Sequence, residues 1–77
     1  MLNEILNRIE ALQEYLQYRV SGNNIYISIP AVSESLVERE LLQWFERNAT
    51  DYCDCEEYSD YEYFDFDDIE IEIRYTH

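Results

Sequence analysis

The chain is 77 residues long, with 18 acidic residues against 5 arginines, no lysine and one histidine, giving a formal net charge of −13. A domain of this size hides only roughly 60–65 % of its unfolded surface, so its core is small and its stability modest. A hydrophobic content of 47 % excludes a disordered acidic tail. With no apolar run near ~18 residues and no basic start at Met1-Leu2-Asn3-Glu4, the expectation is a soluble, cytoplasmic protein.

Leu2, Ile5, Leu6, Ile9, Leu12 and Leu16 recur at three- and four-residue steps, which predicts an amphipathic helix over 3–15. The period then becomes two. Leu16, Tyr18 and Val20 alternate with Gln17 and Arg19, and Ile25, Ile27 and Ile29 alternate with Tyr26 and Ser28. Ser21-Gly22-Asn23-Asn24 between them supplies residues tolerant of positive φ, so a β-hairpin is expected, closed at its far end by Pro30. Ser35 and Glu38 have capping-box spacing, and Val37, Leu41, Trp44 and Phe45 follow at helical spacing, predicting a second helix over 35–48. Asn48-Ala49-Thr50 matches a glycosylation sequon, which carries little meaning without a secretion signal.

Residues 51–59 show no clean period and read as a loop or a single helical turn. Beyond them Tyr61 and Tyr63 share one parity and Phe64 and Phe66 the other, a slip that suggests a bulge or a change from helix to strand. Asp67-Asp68 is suited to a hairpin turn. Ile69, Ile71, Ile73 and Tyr75 mark a closing strand, with 61–66 as its candidate partner. The expected fold is a single α+β domain over 1–77, in which two helices pack on a small antiparallel sheet in the order α-β-β-α followed by one or two strands.

The charge is lopsided. Residues 1–50 carry seven acids and four arginines, net −3, whereas residues 51–77 carry eleven acids and Arg74, net −10. Self-repulsion on this scale destabilises a compact state. Direct binding to nucleic acid or to an anionic membrane is disfavoured by the same field, so the expected partner is basic. If the isoleucines at 69, 71 and 73 face the core, Glu70 and Glu72 face outward, roughly 6.6 Å apart at a rise of ~3.3 Å per residue. That separation is comparable to the spacing of phosphates along a nucleic-acid strand. Asp51, Asp54, Glu56, Glu57, Asp60, Glu62, Asp65, Asp67, Asp68, Glu70 and Glu72 are the residues expected to supply the field, with Tyr58, Tyr61 and Tyr63 as candidate contacts. Tyrosine suits interfaces, and carboxylates together with aromatic faces suit arginine. The plain alternative is a solvated acidic face; concentration of the charge in one third of the chain argues against it, as the low Gly and Ala content argues against salt adaptation. Tyr18 and Tyr75, at core parity, are expected to pack.

Other chemistry is weakly represented. Cys53-Asp54-Cys55 with a distant His77 is a poor match to the four ligands of tetrahedral zinc, and a disulfide between residues two apart would be strained. Neighbouring carboxylates disfavour a thiolate nucleophile. The acids lack the calcium-loop pattern and its glycine, although weak divalent-cation binding follows from their density. With no nucleophile–base pair and no phosphate-cradling glycine loop, neither catalysis nor a cofactor is expected.

An amphipathic first helix, an early hairpin around Val20-Ser21-Gly22, a second helix opening near Ser33-Glu34-Ser35, then Trp44-Phe45, an acid-and-tyrosine stretch from Asp51 to Asp68 and a closing strand form a recognisable order. In this layout the chain resembles small acidic inhibitors encoded by phages and mobile elements that imitate nucleic acid. Within that group it is most similar to anti-CRISPR proteins acting on type II effector nucleases. The resemblance implies an inhibitor working in the host cytoplasm, whose acids fill an arginine-lined site where duplex DNA would dock, and it implies no catalytic residues. The alternatives are an immunity protein or antitoxin that neutralises a basic nuclease, and an acidic assembly subunit.

Overall fold

A computed structural model describes residues 2–54 and 61–76, with the side chains of residues 53 and 54 outside the description. The chain runs through helix α1 (Leu2–Glu10), strands β1 (Gln17–Ser21) and β2 (Asn24–Pro30), helix α2 (34–48), and strands β3 (Asp51–Asp54), β4 (Tyr61–Phe66) and β5 (Ile69–Thr76). The fold is α+β, and both helices lie on the same face of a five-stranded sheet ordered β1-β2-β5-β4-β3. Three strand pairings are antiparallel, whereas β2 and β5 pair in parallel, so the sheet is mixed rather than wholly antiparallel.

The parallel pairing sets the centre. Ile25 lies beside Ile71, Ile27 beside Ile73 and Ile29 beside Tyr75. All six side chains are buried beneath the helices. Strands flanked on both sides are favoured by β-branched residues, whose stiff side chains pack well on a pleated surface. From above, Ile5 and Ile9 of α1 and Val37, Leu41, Leu42 and Phe45 of α2 complete the core. Phe45 meets the β4 rings Phe64 at 5.4 Å and Phe66 at 5.5 Å between centroids, and Trp44 stacks on Phe66. The guanidinium of Arg8 lies 4.4 Å from the Trp44 ring, which ties α1 to α2 at the rim.

Several local expectations change. Helix α1 ends at Glu10, short of residue 15. Bonds from Leu12 N–H to Ile9 and from Tyr15 N–H to Leu12 carry the chain on in tight turns that still aim Leu12 and Leu16 at the core. The Ser35–Glu38 capping box does not form, because a tight turn at Ala31–Ser33 already leads into helix at Glu34. Within α2 the Gln43 N–H donates to the Glu38 carbonyl, five residues back. This one widened turn brings the adjacent Leu41 and Leu42 both to the interior. Residues 51–54 form an edge strand, not a loop or helical turn, while 55–59 lie outside the described residues. Strand β4 pairs with β5 without interruption from Tyr61–Arg74 to Phe66–Ile69, so there is no bulge at Tyr63-Phe64. The parity is regular: Tyr61, Tyr63 and Asp65 face away from the helices, while Phe64 and Phe66 face them.

Both two-residue hairpin turns begin with a positive φ, +59° at Gly22 and +53° at Asp67. Glycine takes this conformation without strain, and aspartate is among the few other residues that tolerate it. The Asp67 turn also has a brace. Thr50 Oγ1 donates to the Asp65 carbonyl at 2.8 Å and accepts the Asp67 N–H at 2.9 Å, while the Thr50 N–H donates to the same carbonyl. Replacing Thr50 by valine preserves shape and removes both side-chain bonds. A loss of about 1–2 kcal/mol is expected in denaturant unfolding, and wild-type stability in that variant would show the brace to be idle.

Candidate partner-binding face

Among the described residues no element covers the sheet face opposite the helices, and strand register lays its side chains out in rows. The row nearest the β4–β5 turn reads Ser21, Asn24, Glu70, Asp65, Asp51 across the five strands. The next reads Arg19, Tyr26, Glu72, Tyr63, and the third Gln17, Ser28, Arg74, Tyr61. Glu70, Asp65 and Asp51 are therefore consecutive across three strands, ~4.8 Å apart per strand. Asp67 and Asp68 cap that end in the exposed turn, and Glu72 lies one step inward along β5.

Of the acids expected to supply a negative field, Asp51, Asp65, Asp67, Asp68, Glu70 and Glu72 thus come together at one end of one face. Glu62 does not join them. It faces the helix side, where its Oε1 accepts a hydrogen bond from the Tyr75 hydroxyl at 3.0 Å. Asp54 pairs with Glu62 through the backbone, but its side chain lies outside the described residues, as do Glu56, Glu57, Tyr58 and Asp60. Tyr61 and Tyr63 are on the open face. Sequence reasoning passed over Tyr26, Arg19 and Arg74, which share it; the alternation of Tyr26 with Ile25 and Ile27 was the signal that places it outward.

Among the described residues, ion pairs join Arg8 to Glu4 and Arg39 to Glu40, on the helices, and none involves the clustered acids. The arginines of the open face sit instead over tyrosines, Arg19 5.0 Å from the Tyr26 ring and Arg74 5.7 Å from the Tyr61 ring. The Tyr63 hydroxyl donates to Glu72 Oε1 at 3.2 Å. No three His, Cys, Asp or Glu side chains among the described residues converge as a metal site would require. The acids are spread along a surface rather than folded around a point. No helix of the described residues is long and apolar enough to cross a membrane.

Two predictions follow from these environments. Asp65 stands between two like charges, and opposed like charges on neighbouring strands destabilise a sheet. Asp65→Asn is expected to raise stability by about 0.3–1 kcal/mol at low salt, with the gain shrinking in 1 M salt; equal stabilities at low salt would mean that the row carries no repulsion. At the other site, burial first and then the Glu62 carboxylate push the Tyr75 phenol well above its ordinary value of 10.0. A raised folded-state value means that this contribution to stability is complete below pH 10 and is lost as pH rises further. Tyr75→Phe should therefore flatten the fall in stability above pH 10, read by denaturant unfolding between pH 7 and 11, with a cost of about 1 kcal/mol at neutral pH for the lost bond.

No protein-family model, curated protein or solved structure matches this chain.

Proposed function

We propose that this protein is an inhibitor that imitates nucleic acid, presenting its acidic sheet end to the basic groove of a nucleic-acid-handling enzyme. The observation that supports the reading is the carboxylate row Asp51–Asp65–Glu70, extended by Asp67, Asp68 and Glu72 on the face away from the helices, with none of these acids in an ion pair among the described residues. A protein that needed acids only for solubility would gain by interspersing cations and separating like charges. This one opposes them directly and accepts the cost. The strand geometry holds negative groups at spacings of ~5–7 Å, close to those of a phosphate backbone. Arginines and lysines that normally grip DNA would grip these carboxylates instead, and DNA would be excluded. The resemblance to anti-CRISPR inhibitors makes a CRISPR effector nuclease the first target to test.

One observation favours a second reading. The negative field occupies one end of the face and gives way to Arg19 and Arg74 at the other. A local patch of this kind also suits an immunity protein or antitoxin that covers a basic nuclease without tracing a DNA path.

The test compares two triple variants of equal charge. Replacing Asp65, Asp68 and Glu70 by their amides is expected to weaken target binding at least about 100-fold, whereas the same change at Glu14, Glu40 and Glu46 should leave it within about threefold. Equal losses would reduce the effect to net charge and sink the imitation reading. Competition separates the two proposals: duplex DNA displaces an imitator from the enzyme, and leaves an immunity protein bound beside the groove.

A further inference from the structure

On the acidic side of the Tyr26–Glu72–Tyr63 row lies a trough of about 210 Å³, lined by Asn24, Tyr26, Tyr63, Glu70 and Glu72 over the backbone of Ile25 and Ile71. Its position follows from register. Glu70 and Glu72 project from the central strand, Tyr26 rises from the neighbour on one side and Tyr63 from the neighbour on the other. The Tyr63 hydroxyl holds the Glu72 carboxylate in place at 3.2 Å. Two carboxylates between two aromatic walls complement a flat cation that can stack and donate in parallel pairs, which describes guanidinium and not ammonium.

The face itself supplies the precedent. On the far side of the same row the chain's own guanidinium groups occupy such positions, Arg19 over Tyr26 and Arg74 over Tyr61, around a second trough that Glu72 also lines. The near side shares Tyr26 and Glu72, has Tyr63 where the far side has Tyr61, adds the Glu70 carboxylate, and has no side-chain cation of the described residues among its lining residues. From this geometry we infer that the trough between Tyr26 and Tyr63 is a slot for one arginine side chain of the partner, stacked against the tyrosines and bonded to Glu70 and Glu72. The inference rests on the reading that the partner is a basic nucleic-acid-handling protein, and it adds selectivity. Phosphate-like acids attract lysine and arginine alike, whereas this slot distinguishes them.

The slot is testable without the partner. The ¹⁵N-labelled protein is titrated with acetyl-Gly-Arg-Gly-amide, with its lysine counterpart, and with the asymmetric dimethylarginine form, which keeps the charge but blocks part of the paired donation. The arginine peptide is expected to shift Asn24, Tyr26, Tyr63, Glu70 and Glu72 together and to bind about tenfold more tightly than either competitor. Tyr26→Leu, which keeps apolar bulk, and Glu72→Gln should each remove that preference while the rest of the spectrum stays dispersed. Equal affinities with shifts spread along Asp51, Asp65 and Glu70 would overturn the slot and leave the imitation reading standing. Absence of arginine binding at millimolar peptide would overturn it as well. Arginine selectivity in a protein that inhibits no nucleic-acid enzyme would keep the slot and discard the imitation reading.

Discussion

The parallel contact between β2 and β5 is the constraint from which the rest of the molecule follows. Two runs of alternating isoleucine, distant in sequence, lie side by side at Ile25–Ile71 and Ile27–Ile73 and are roofed by both helices. Side chains on a strand alternate strictly, so a slip of one residue in this pairing would carry a whole apolar set into water. With the inward register fixed by burial, the outward register has no freedom. Asn24 must lie beside Glu70, Tyr26 beside Glu72 and Ser28 beside Arg74. The composition of the open face is thus determined from beneath, by hydrophobic packing in a domain with little stability to spare.

On that fixed frame the electrostatics run against the fold. Glu70, Asp65 and Asp51 oppose one another across three strands, although the protein demonstrably manages charge elsewhere. Arg8 is matched to Glu4 and stacked on Trp44, and Arg19 and Arg74 are laid over tyrosines. Cations are therefore present on the open face and directed to aromatic rings rather than to the nearest acids. Glu62 shows the contrasting case, a carboxylate on the helix side held by the Tyr75 hydroxyl. The acids at the β4–β5 end are directed outward, and where they are bonded it is by single neutral donors, Glu72 by the Tyr63 hydroxyl and Asp51 by the Tyr52 N–H.

Much of this was legible from residue order. The isoleucine alternation, the Gly22 and Asp67-Asp68 turns, the second helix and the outward direction of Glu70 and Glu72 all follow from period and turn chemistry. What was not legible has physical causes. Parallel neighbours leave no local signal, because β2 and β5 are joined through a helix and two further strands. The apparent slip at Tyr63-Phe64 arose because an aromatic residue alone does not mark a strand's inner face; in β4 Tyr61 and Tyr63 face outward while Phe64 and Phe66 pack inside. Once Tyr61 and Tyr63 are assigned outward, β4 is a regular strand and only Glu62 departs from its pattern. The widened turn at Glu38–Leu42 was invisible because 3.6-residue periodicity does not count an added residue.

Placement on paired strands and a braced turn is what separates this acidic surface from a charged tail. A disordered run of the same composition would have to give up conformational freedom on binding, which lowers affinity for a given contact area. Here the turn bearing Asp67 and Asp68 is clamped by Thr50, which follows directly from the end of α2, and the Thr50 hydroxyl also holds the Asp65 carbonyl. The carboxylates at the exposed end are connected, through one side chain, to the helix whose Phe45 packs on the rings of the same strand. A helix terminus, a hairpin turn and the acid row form one body, so the ordering cost is met in folding. Repulsion within that row is relieved by salt or by an approaching positive charge, and on the reading proposed above a basic groove would supply that charge. A surface laid out in this way costs stability while it stands alone, and that cost falls wherever positive charge is brought against it.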